Sequence, residues 1–238
     1  MKHHQLLRRG LSVLLSLVMC LTLVPVTALA ATGVTIDKTN FPDQVFREYV
    51  SKNCDTNGDG TLSTEEIAAV TSITFFNNTG AELADLTGIE HFTNLGSLCY
   101  DSSNLTTLDV SKNTALVRLE CYNSKLTTLN LGENTALKSL WCNGNNLTTL
   151  DVSKNTALEK LYCNNNNLTT LDVSKNTGLS YLFCFCNNLT KLDVSKNTKL
   201  EALHCSKNNL TSMDVSKTVV ETLGCEGNTY TIMLSPQN

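Results

Sequence analysis

Beyond its first thirty residues, this 238-residue chain lacks any apolar run of the roughly 20 residues that a membrane-spanning helix needs. Within those thirty residues, a basic start is followed by an apolar run from Leu11 to Val24 and by the small-residue pattern Ala28-Leu29-Ala30. The run is short for a membrane span, and the cleavage pattern follows it directly. We therefore predict a signal peptide over residues 1–30, cleaved near Ala30, and a secreted mature chain with no membrane span.

The chain is also poor in positive charge. Its 18 Lys and Arg residues and 22 Asp and Glu residues give a net charge of −4. Loss of Lys2, Arg8 and Arg9 with the signal peptide leaves 15 against 22, a net charge of −7. Nucleic acids and anionic membranes require a basic surface, which this balance does not supply. We therefore expect no nucleic-acid partner and no anionic membrane partner.

Histidine is scarce as well. The mature chain keeps two of the four histidines, His91 and His204, and neither lies in a nucleophile or metal-ligand motif. Catalysis needs a unique set of groups that converge in a pocket, whereas paired carboxylates recur here as parts of a repeat. We therefore expect that the protein is not an enzyme.

Internal repetition is what the chain has in abundance. From residue 95 onward, the pattern Leu-x-x-Leu-x-Cys recurs every 21 residues, with the last unit one residue early. The units start at Leu95, Leu116, Leu137, Leu158, Leu179, Leu200 and Val220. A second apolar triplet follows, as in Leu147-Thr-Thr-Leu150-Asp-Val152. Because alternate strand residues point to opposite faces, each unit presents six inward positions, and stacked units would bury one continuous apolar core.

Two sets of asparagines recur with the same period. One set lies eight residues after the unit starts: Asn145, Asn166, Asn187, Asn208 and Asn228. The other lies in Ser-Lys-Asn-Thr turns: Asn113, Asn155, Asn176 and Asn197. Stacked amide side chains can bond the backbone groups that tight turns leave unpaired. Ser103 and Ser124 replace the first set in the two earliest units, so we expect that ladder to be weaker there.

These units, read as Leu-x-x-Leu-x-Cys-x-x-Asn-x-Leu-Thr-x-Leu-Asp-Val, resemble the short bacterial leucine-rich repeat that is sometimes called IRREKO. The resemblance covers residues 95–234 and extends to secreted and surface proteins of bacteria. It implies a leucine-rich-repeat solenoid that is mostly β, with parallel strands and short non-helical turns. We expect the solenoid over residues 70–234, with an irregular first coil at 70–94 that contains a looped insertion, and a tail at 235–238. Such solenoids bind many unrelated ligands, so the resemblance names none.

A twelve-residue acidic segment precedes the repeats. Residues 55–66 read Asp-Thr-Asn-Gly-Asp-Gly-Thr-Leu-Ser-Thr-Glu-Glu, which fits an EF-hand calcium loop at every ligand position. The predicted ligands are Asp55, Asn57, Asp59, the Thr61 carbonyl, Ser63 and Glu66. Helices are expected over Pro42–Lys52 and Thr64–Val70. We predict one Ca²⁺ site in a helix–loop–helix cap at residues 31–69 that covers the first coil, the alternative being a solvated acidic turn.

Six cysteines share one inward position of the repeat. They are Cys121, Cys142, Cys163, Cys184, Cys205 and Cys225, and Tyr100 takes this position in the first regular unit. In neighbouring parallel strands the Cβ atoms would lie roughly 4.8 Å apart, whereas a relaxed disulfide wants about 3.8 Å. We therefore expect buried thiols that act as small apolar side chains, despite secretion. Three further cysteines lie off this row and are not placed by the sequence: Cys54, Cys99 and Cys186.

Near-identical units should carry function where their exposed positions differ. Six aromatic residues and one histidine occupy outward positions of the first strand in five units, three of them in the unit that starts at Leu179: Tyr122, Trp141, Tyr162, Tyr181, Phe183, Phe185 and His204. Cross-strand packing would explain one or two of them, but a contiguous exposed apolar patch usually marks an interaction site. We predict a non-enzymatic binding or adhesion protein that binds a protein or peptide on this face. A glycan-binding module and a structural cell-surface spacer are the alternatives.

Charged residues flank the aromatic set on the same strands. They are Arg118, Glu120, Lys160, Glu201 and Lys207. A charged rim suits a protein partner better than a sugar, which places the protein or peptide ligand ahead of the glycan.

Overall fold

The computed structural model describes residues 33–75, 83–229 and 231–233 of the chain. The predicted signal peptide at residues 1–30, most of the looped insertion expected after Phe75 and the tail at residues 235–238 lie outside the described residues. Among the helices that the structure describes, none is both long and apolar enough to cross a membrane.

Two short strands and two short helices form the N-terminal cap: β1 (Val34–Thr35), α1 (Gln44–Asn53), β2 (Thr61–Leu62) and α2 (Thr64–Ala69). The residue directly before each helix caps the helix N-terminus with its side chain. Asp43 accepts a hydrogen bond from the Phe46 N–H, and Ser63 and Glu66 form a reciprocal capping box. The small helical cap that the sequence predicts is consistent with these two helices, whose bounds differ from the expected ones by one or two residues.

Eight parallel strands form the main sheet of the solenoid. In spatial order they are β3 (Ser72–Phe75), β4 (Ser97–Asp101), β6 (Arg118–Tyr122), β8 (Ser139–Trp141), β9 (Lys160–Tyr162), β10 (Tyr181–Phe183), β11 (Ala202–His204) and β13 (Thr222–Gly224). Regular partners are 21 residues apart, as for Leu161 and Leu182, and the last step is 20, from Leu203 to Leu223. The predicted solenoid of stacked parallel coils is confirmed, and β3 shows that the irregular first coil joins it.

A second extended segment in each coil carries the Leu-x-Val part of the repeat. It forms paired strands in four coils: β5 (Thr107–Asp109) pairs with β7 (Thr128–Asn130), and β12 (Ser212–Asp214) pairs with β14 (Thr231–Met233). The irregular first coil has a short 3-10 turn at Ile89–His91 in this part of its path. We call the second extended segments of successive coils the second row. Strand β5 is the first strand of this row.

The inward positions of the coils form one continuous core. In the unit that starts at Leu158, the six inward side chains are at most 6% exposed: Leu158, Leu161, Cys163, Leu168, Leu171 and Val173. Each fully buried Leu contributes about 1.5–3 kcal/mol through removal of apolar surface from water. Cys121 to Cys205 lie buried in the predicted row, beside Tyr100. Cys225, expected to be buried with them, is half-exposed because it lies in the last regular unit, where its outer side is less covered.

Buried asparagine amides bond each coil to the one before it. The Asn187 Nδ2 donates to the carbonyl of Cys184 in its own coil and to that of Cys163 in the preceding coil, both at 3.0 Å. Its Oδ1 accepts from the Leu168 N–H at 2.9 Å. The same arrangement recurs at Asn145, Asn166, Asn208 and Asn228. At the first two units the serines take over: the Ser124 hydroxyl accepts from the Ser103 N–H at 3.2 Å and from the Ser103 hydroxyl at 2.9 Å, so a serine pair replaces the amide bridge between these two coils.

The second asparagine set forms a parallel ladder in the turns. The Asn176 Nδ2 donates to the carbonyls of Val152 and Asn155 at 3.0 and 2.8 Å. Asn134 belongs to this ladder, although its turn lacks the Ser-Lys pattern that marks the others. Every Oδ1 in this ladder is buried without a hydrogen-bond partner among the described residues. Because an unsatisfied acceptor costs free energy, we infer that this ladder stabilises the solenoid less than the first one.

Truncation of an asparagine side chain in the first ladder should cause a large loss of stability. Asn187→Ala removes four hydrogen bonds and leaves the Leu168 N–H buried and unpaired, so we expect a loss of about 2–4 kcal/mol in the free energy of unfolding. Its neighbour Asn188 is exposed, and Asn188→Ala should change that free energy by less than about 0.5 kcal/mol. Urea unfolding measures both variants, and equal losses would contradict a bridging role for Asn187.

Candidate functional site

The candidate site is built by one outward position on four neighbouring strands. Trp141 of β8, Tyr162 of β9, Phe183 of β10 and His204 of β11 are direct partners in the parallel register. Each lies between an inward Leu and an inward Cys, so the period-2 alternation of the strand directs its side chain away from the core. All four side chains are half-buried. We call these four residues the aromatic column.

The rings of the aromatic column contact one another in sequence. Ring centroids lie 4.5 Å apart for Trp141 and Tyr162, 4.8 Å for Tyr162 and Phe183, and 4.5 Å for Phe183 and His204. The corresponding interplanar angles are 39°, 65° and 48°. These separations match the roughly 4.8 Å between neighbouring strands, so each ring packs against the next coil's ring. Each ring of the column therefore has a neighbouring ring at contact distance, tilted or edge-on rather than parallel to it.

The other predicted face residues lie beside the aromatic column. Tyr122 approaches Trp141 at 6.4 Å between ring centroids. The Lys160 ammonium lies over the Tyr181 ring at 5.4 Å from its centroid, and the Tyr181 hydroxyl donates to Glu201 at 3.3 Å. Phe185 is half-exposed on the same strand face, and it makes no ring–ring contact with the described residues.

The polar groups of this face are bonded within the chain. The Trp141 Nε1 donates to the Ser139 hydroxyl at 3.0 Å, which fixes the orientation of the indole. At the N-terminal end, the Arg118 guanidinium binds the Glu120 carboxylate, which is 7% exposed. The sequence places Arg118 and Glu120 in a charged rim, whereas the structure shows that they form an ion pair with each other. The surface that remains available around the rings is consequently more apolar than the sequence suggests.

The aromatic column ends at His204 because the next strand has Gly224 at the paired position. A Cβ built on Gly224 would lie 2.7 Å from the His204 Nδ1 and 3.2 Å from its Cε1. The imidazole therefore lies directly over the glycine backbone, and any side chain at position 224 would displace it. Gly224 is not among the site residues that the sequence predicts. The sequence signal that could have identified it is a glycine at the outward strand position where the other regular units have larger side chains.

The twelve-residue loop of the cap holds its carboxylates through backbone hydrogen bonds. The Asp55 carboxylate accepts from the N–H groups of Gly58, Asp59 and Gly60, and Gly60 has the left-handed φ of +80° that the turn requires. The Asn57 and Asp59 side chains accept from the N–H groups two residues ahead. These contacts curl the loop around its first residue and bring the predicted ligand positions onto one short turn.

Glu66 closes the same loop. Its Oε1 accepts from the N–H and hydroxyl of Thr56, and its Oε2 accepts from those of Ser63. Hydrogen bonds from Ser63 and Thr56 lower the pKa of Glu66 from 4.5 to about 2. Within the described ranges, no group of three or more His, Cys, Asp and Glu side chains is arranged to hold a metal ion. In the observed rotamer Glu66 is bonded to the protein, and a calcium ion would have to compete with these donors.

The cysteine row is buried in the core and removed from solvent. Burial raises the pKa of the Cys121 thiol to about 12, and the buried Cys142, Cys163 and Cys184 thiols also have raised pKa values. Such thiols stay protonated near neutral pH and do not act as thiolate nucleophiles. The three cysteines that the sequence left unplaced have separate positions. Cys54 is buried at the end of α1, Cys99 is half-exposed on β4, and Cys186 lies in a turn with a φ of +53°.

Comparison with known proteins supports a leucine-rich-repeat fold. No family model matches the chain. A 74-residue stretch, 31% of this chain, is 39% identical to Internalin J of Listeria monocytogenes, but it spans 8% of that protein. The structure of internalin C2 of L. monocytogenes matches with a TM-score of 0.70 and 19% identity, over 84% of this chain and 90% of that one. The leucine-rich-repeat protein LIC12759 of Leptospira interrogans matches with a TM-score of 0.64 and 23% identity, over 73% and 47%.

The lowered pKa of Glu66 predicts a pH-dependent loss of stability in acid. The ionised carboxylate stabilises the fold fully above about pH 5, and this contribution is lost as the pH falls from 4.5 toward about 2. We therefore expect Glu66→Gln to unfold more easily than the wild type at pH 7, with the difference shrinking over that range. Urea unfolding at a series of pH values measures it. The exposed neighbour Glu65 supplies the control Glu65→Gln, and a difference for Glu66→Gln that stays constant from pH 7 to 2 would contradict the assignment.

Proposed function

We propose that the chain is a secreted bacterial binding protein without catalytic activity, and that the aromatic column with Tyr122, Tyr181 and Phe185 binds a protein or peptide ligand. The observation that carries this proposal is the unbroken ring contact across four coils on the outer face of the sheet. The similarity to internalins of Listeria is consistent with a bacterial leucine-rich-repeat protein. The predicted signal peptide supports secretion.

Ring packing alone does not account for the aromatic column. A cross-strand aromatic pair contributes roughly 0.2–1 kcal/mol to stability. Cross-strand pairs of smaller side chains could supply a similar amount without placing large apolar side chains at the surface. Solvent-exposed aromatic groups cost solubility, and contiguous patches of them usually mark an interaction surface. Tyr and Trp are also enriched among the residues that dominate binding energy at protein interfaces.

The orientation of the rings favours a protein ligand over a glycan. A sugar ring stacks flat on an open aromatic face, whereas here each ring has a neighbour about one strand spacing away. Ring edges carry partial positive charge, and they suit the aromatic faces and carbonyl oxygens of a polypeptide. The Trp141 N–H and the Tyr181 hydroxyl are bonded within the chain, so they do not offer the polar contacts that sugar recognition needs.

The proposal is tested by selection of a ligand on the mature protein. A phage-displayed library of random twelve-residue peptides is selected on residues 31–238, with counter-selection on a variant that carries Trp141→Ala and Phe183→Ala. Enrichment of peptides that bind the wild type alone supports the proposal. A glycan array probed in parallel identifies the alternative: sugar binding that these two substitutions abolish, without any enriched peptide, would overturn a polypeptide ligand.

Single substitutions in the aromatic column should separate binding from stability. With a selected peptide, Trp141→Ala and Phe183→Ala should each weaken binding by about 2 kcal/mol, or roughly 30-fold in Kd. Because each residue contacts a ring on either side, their effect on the free energy of unfolding should be the roughly 0.4–2 kcal/mol of two ring pairs. Fluorescence polarisation and urea unfolding measure the two quantities. Lys175→Ala, an exposed turn residue, is the control. The reverse pattern, with stability lost and binding unchanged, would make the aromatic column a brace of the sheet.

We also propose that the loop of residues 55–66 binds one Ca²⁺, which stabilises the cap. Its oxygen-bearing residues occupy the EF-hand positions, and the backbone turns at Gly60 with the φ that this loop type uses. Binding would require Glu66 to leave Thr56 and Ser63 and turn both oxygens inward. Because these hydrogen bonds must be broken for calcium to bind, we expect a weak site, with a Kd in the range of roughly 10⁻⁴–10⁻³ M that extracellular modules show.

Calcium should therefore raise the melting temperature of the mature protein modestly. At 10 mM calcium, about ten times a Kd of roughly 10⁻³ M, binding adds about 1.4 kcal/mol, which corresponds to about 3–5 °C for a chain of this size. Differential scanning calorimetry in calcium and in chelator measures the shift, and Asp59→Ala should abolish it. Asp37→Ala, in the same cap but outside the loop, should retain it. The absence of a shift, or a shift that survives Asp59→Ala, would count against calcium binding.

A further inference from the structure

Strand β5 is an edge strand with a partner on one side only among the described residues. It pairs with β7, whereas the equivalent segment of the first coil does not pair with it. The first coil is bonded to the cap at this point, because the N–H groups of Ala84 and Asp85 donate to the Asp43 carboxylate at 3.0 and 3.2 Å. The first coil joins the main sheet through β3, and its segment beside β5 forms no strand pair with it.

The unpaired edge presents an ordered row of backbone groups. The Thr106 carbonyl accepts from the Thr127 N–H, and the Val110 N–H donates to the Asn130 carbonyl, so Thr106, Leu108 and Val110 face β7. In a parallel ladder the groups of alternate residues point to opposite sides. The N–H and C=O groups of Thr107 and Asp109 therefore point away from β7. An edge of this kind is a template for an added strand.

A cavity of about 320 Å³ lies against this edge. The turn from Asp85 to Glu90 forms one wall, and β5 with Ser111 and Lys112 forms the other. The volume falls in the range of roughly 300–1,000 Å³ that is usual for small-ligand sites and accommodates a short length of polypeptide. The cavity thus lies beside β5, on the side where a preceding strand of the second row would lie.

The lining of the cavity is acidic. It has the carboxylates of Asp85, Glu90 and Asp109 against the single ammonium of Lys112. Each carboxylate is held by a backbone N–H: Asp85 by that of Thr87, Glu90 by that of Gly88 and Asp109 by that of Ser111. Negative charge is therefore fixed around the unpaired backbone groups. This charge favours a segment with a basic side chain.

We propose that the free edge of β5 is a second binding site, which takes an extended peptide segment carrying Lys or Arg as an added strand. The Thr107 and Asp109 backbone groups hydrogen-bond the peptide, and the carboxylates of Asp85 and Glu90 attract its basic side chain. The site shares no residue with the aromatic column, so it stands independently of the ligand proposed for that face.

Hydrogen exchange tests the edge without any ligand. In the free protein the Thr107 and Asp109 amides should exchange rapidly, whereas the Val110 amide, bonded to Asn130, should be protected by at least 100-fold. Amide exchange followed by NMR resolves these residues. Protection of Thr107 and Asp109 equal to that of Val110 would show that the edge is already covered and would overturn the proposal.

A matched pair of variants tests the site for peptide binding. Thr107→Pro removes the outward N–H, and proline is tolerated on an edge strand where that N–H faces solvent, while Thr107→Val keeps the N–H. A phage-displayed library of random twelve-residue peptides is selected on residues 31–238, with Thr107→Pro for counter-selection. Enriched peptides should contain Lys or Arg and bind Thr107→Val as they bind the wild type. They should bind Thr107→Pro and Glu90→Gln at least ten-fold and three-fold more weakly, respectively. Failure to enrich such peptides, or equal binding to Thr107→Pro, would overturn the proposal.

Discussion

The bridge that each buried asparagine makes between coils is the interaction on which the rest of the structure depends. A strand pair of three residues makes too few ladder bonds to define a solenoid, and the inward Leu and Cys rows would tolerate a slip between similar side chains. The Asn187 amide does not tolerate one, because it must meet the Cys163 carbonyl and the Leu168 N–H of the preceding coil at once. Equivalent positions are thereby stacked in columns, and the contact between Tyr162 and Phe183 follows from that register.

Much of the architecture could be predicted from the sequence because repetition makes local patterns reliable. The strands, the inward rows and the outward direction of Trp141 and Phe183 follow from period-2 alternation inside a 21-residue repeat. Features that depend on side-chain rotamers could not be predicted. The pairing of Arg118 with Glu120, the position of His204 over Gly224 and the tilted contacts between neighbouring rings all require coordinates. Cys225 is half-exposed because it lies in the last regular unit, and its local sequence pattern does not reveal this.

The cap shows why long-range contacts escape a sequence-based reading. Asp43 reads as an ordinary N-cap residue, and it does accept from the Phe46 N–H. Its second oxygen accepts from Ala84 and Asp85, some forty residues along the chain. One carboxylate therefore starts a helix and also bonds the first coil to the cap. Glu66 has a similar double role, since it caps α2 and closes the acidic loop through Thr56.

The spacing of the aromatic column has a consequence for the shape of whatever lies along it. Its rings repeat every 4.5–4.8 Å, a pitch imposed by the backbone of the coils, which side-chain substitution does not alter. An extended polypeptide laid along the solenoid axis advances about 3.3 Å per residue, or about 6.6 Å between side chains on one face, and falls out of step with the rings at once. Successive turns of an α-helix are about 5.4 Å apart, which differs from the ring pitch by about 0.6–0.9 Å per step, so a helix stays nearly in step over two neighbouring rings and is about half a pitch out of step after three intervals. A single regular element laid along the column therefore matches a neighbouring pair of rings rather than all four, which favours partners that cross the column at an angle.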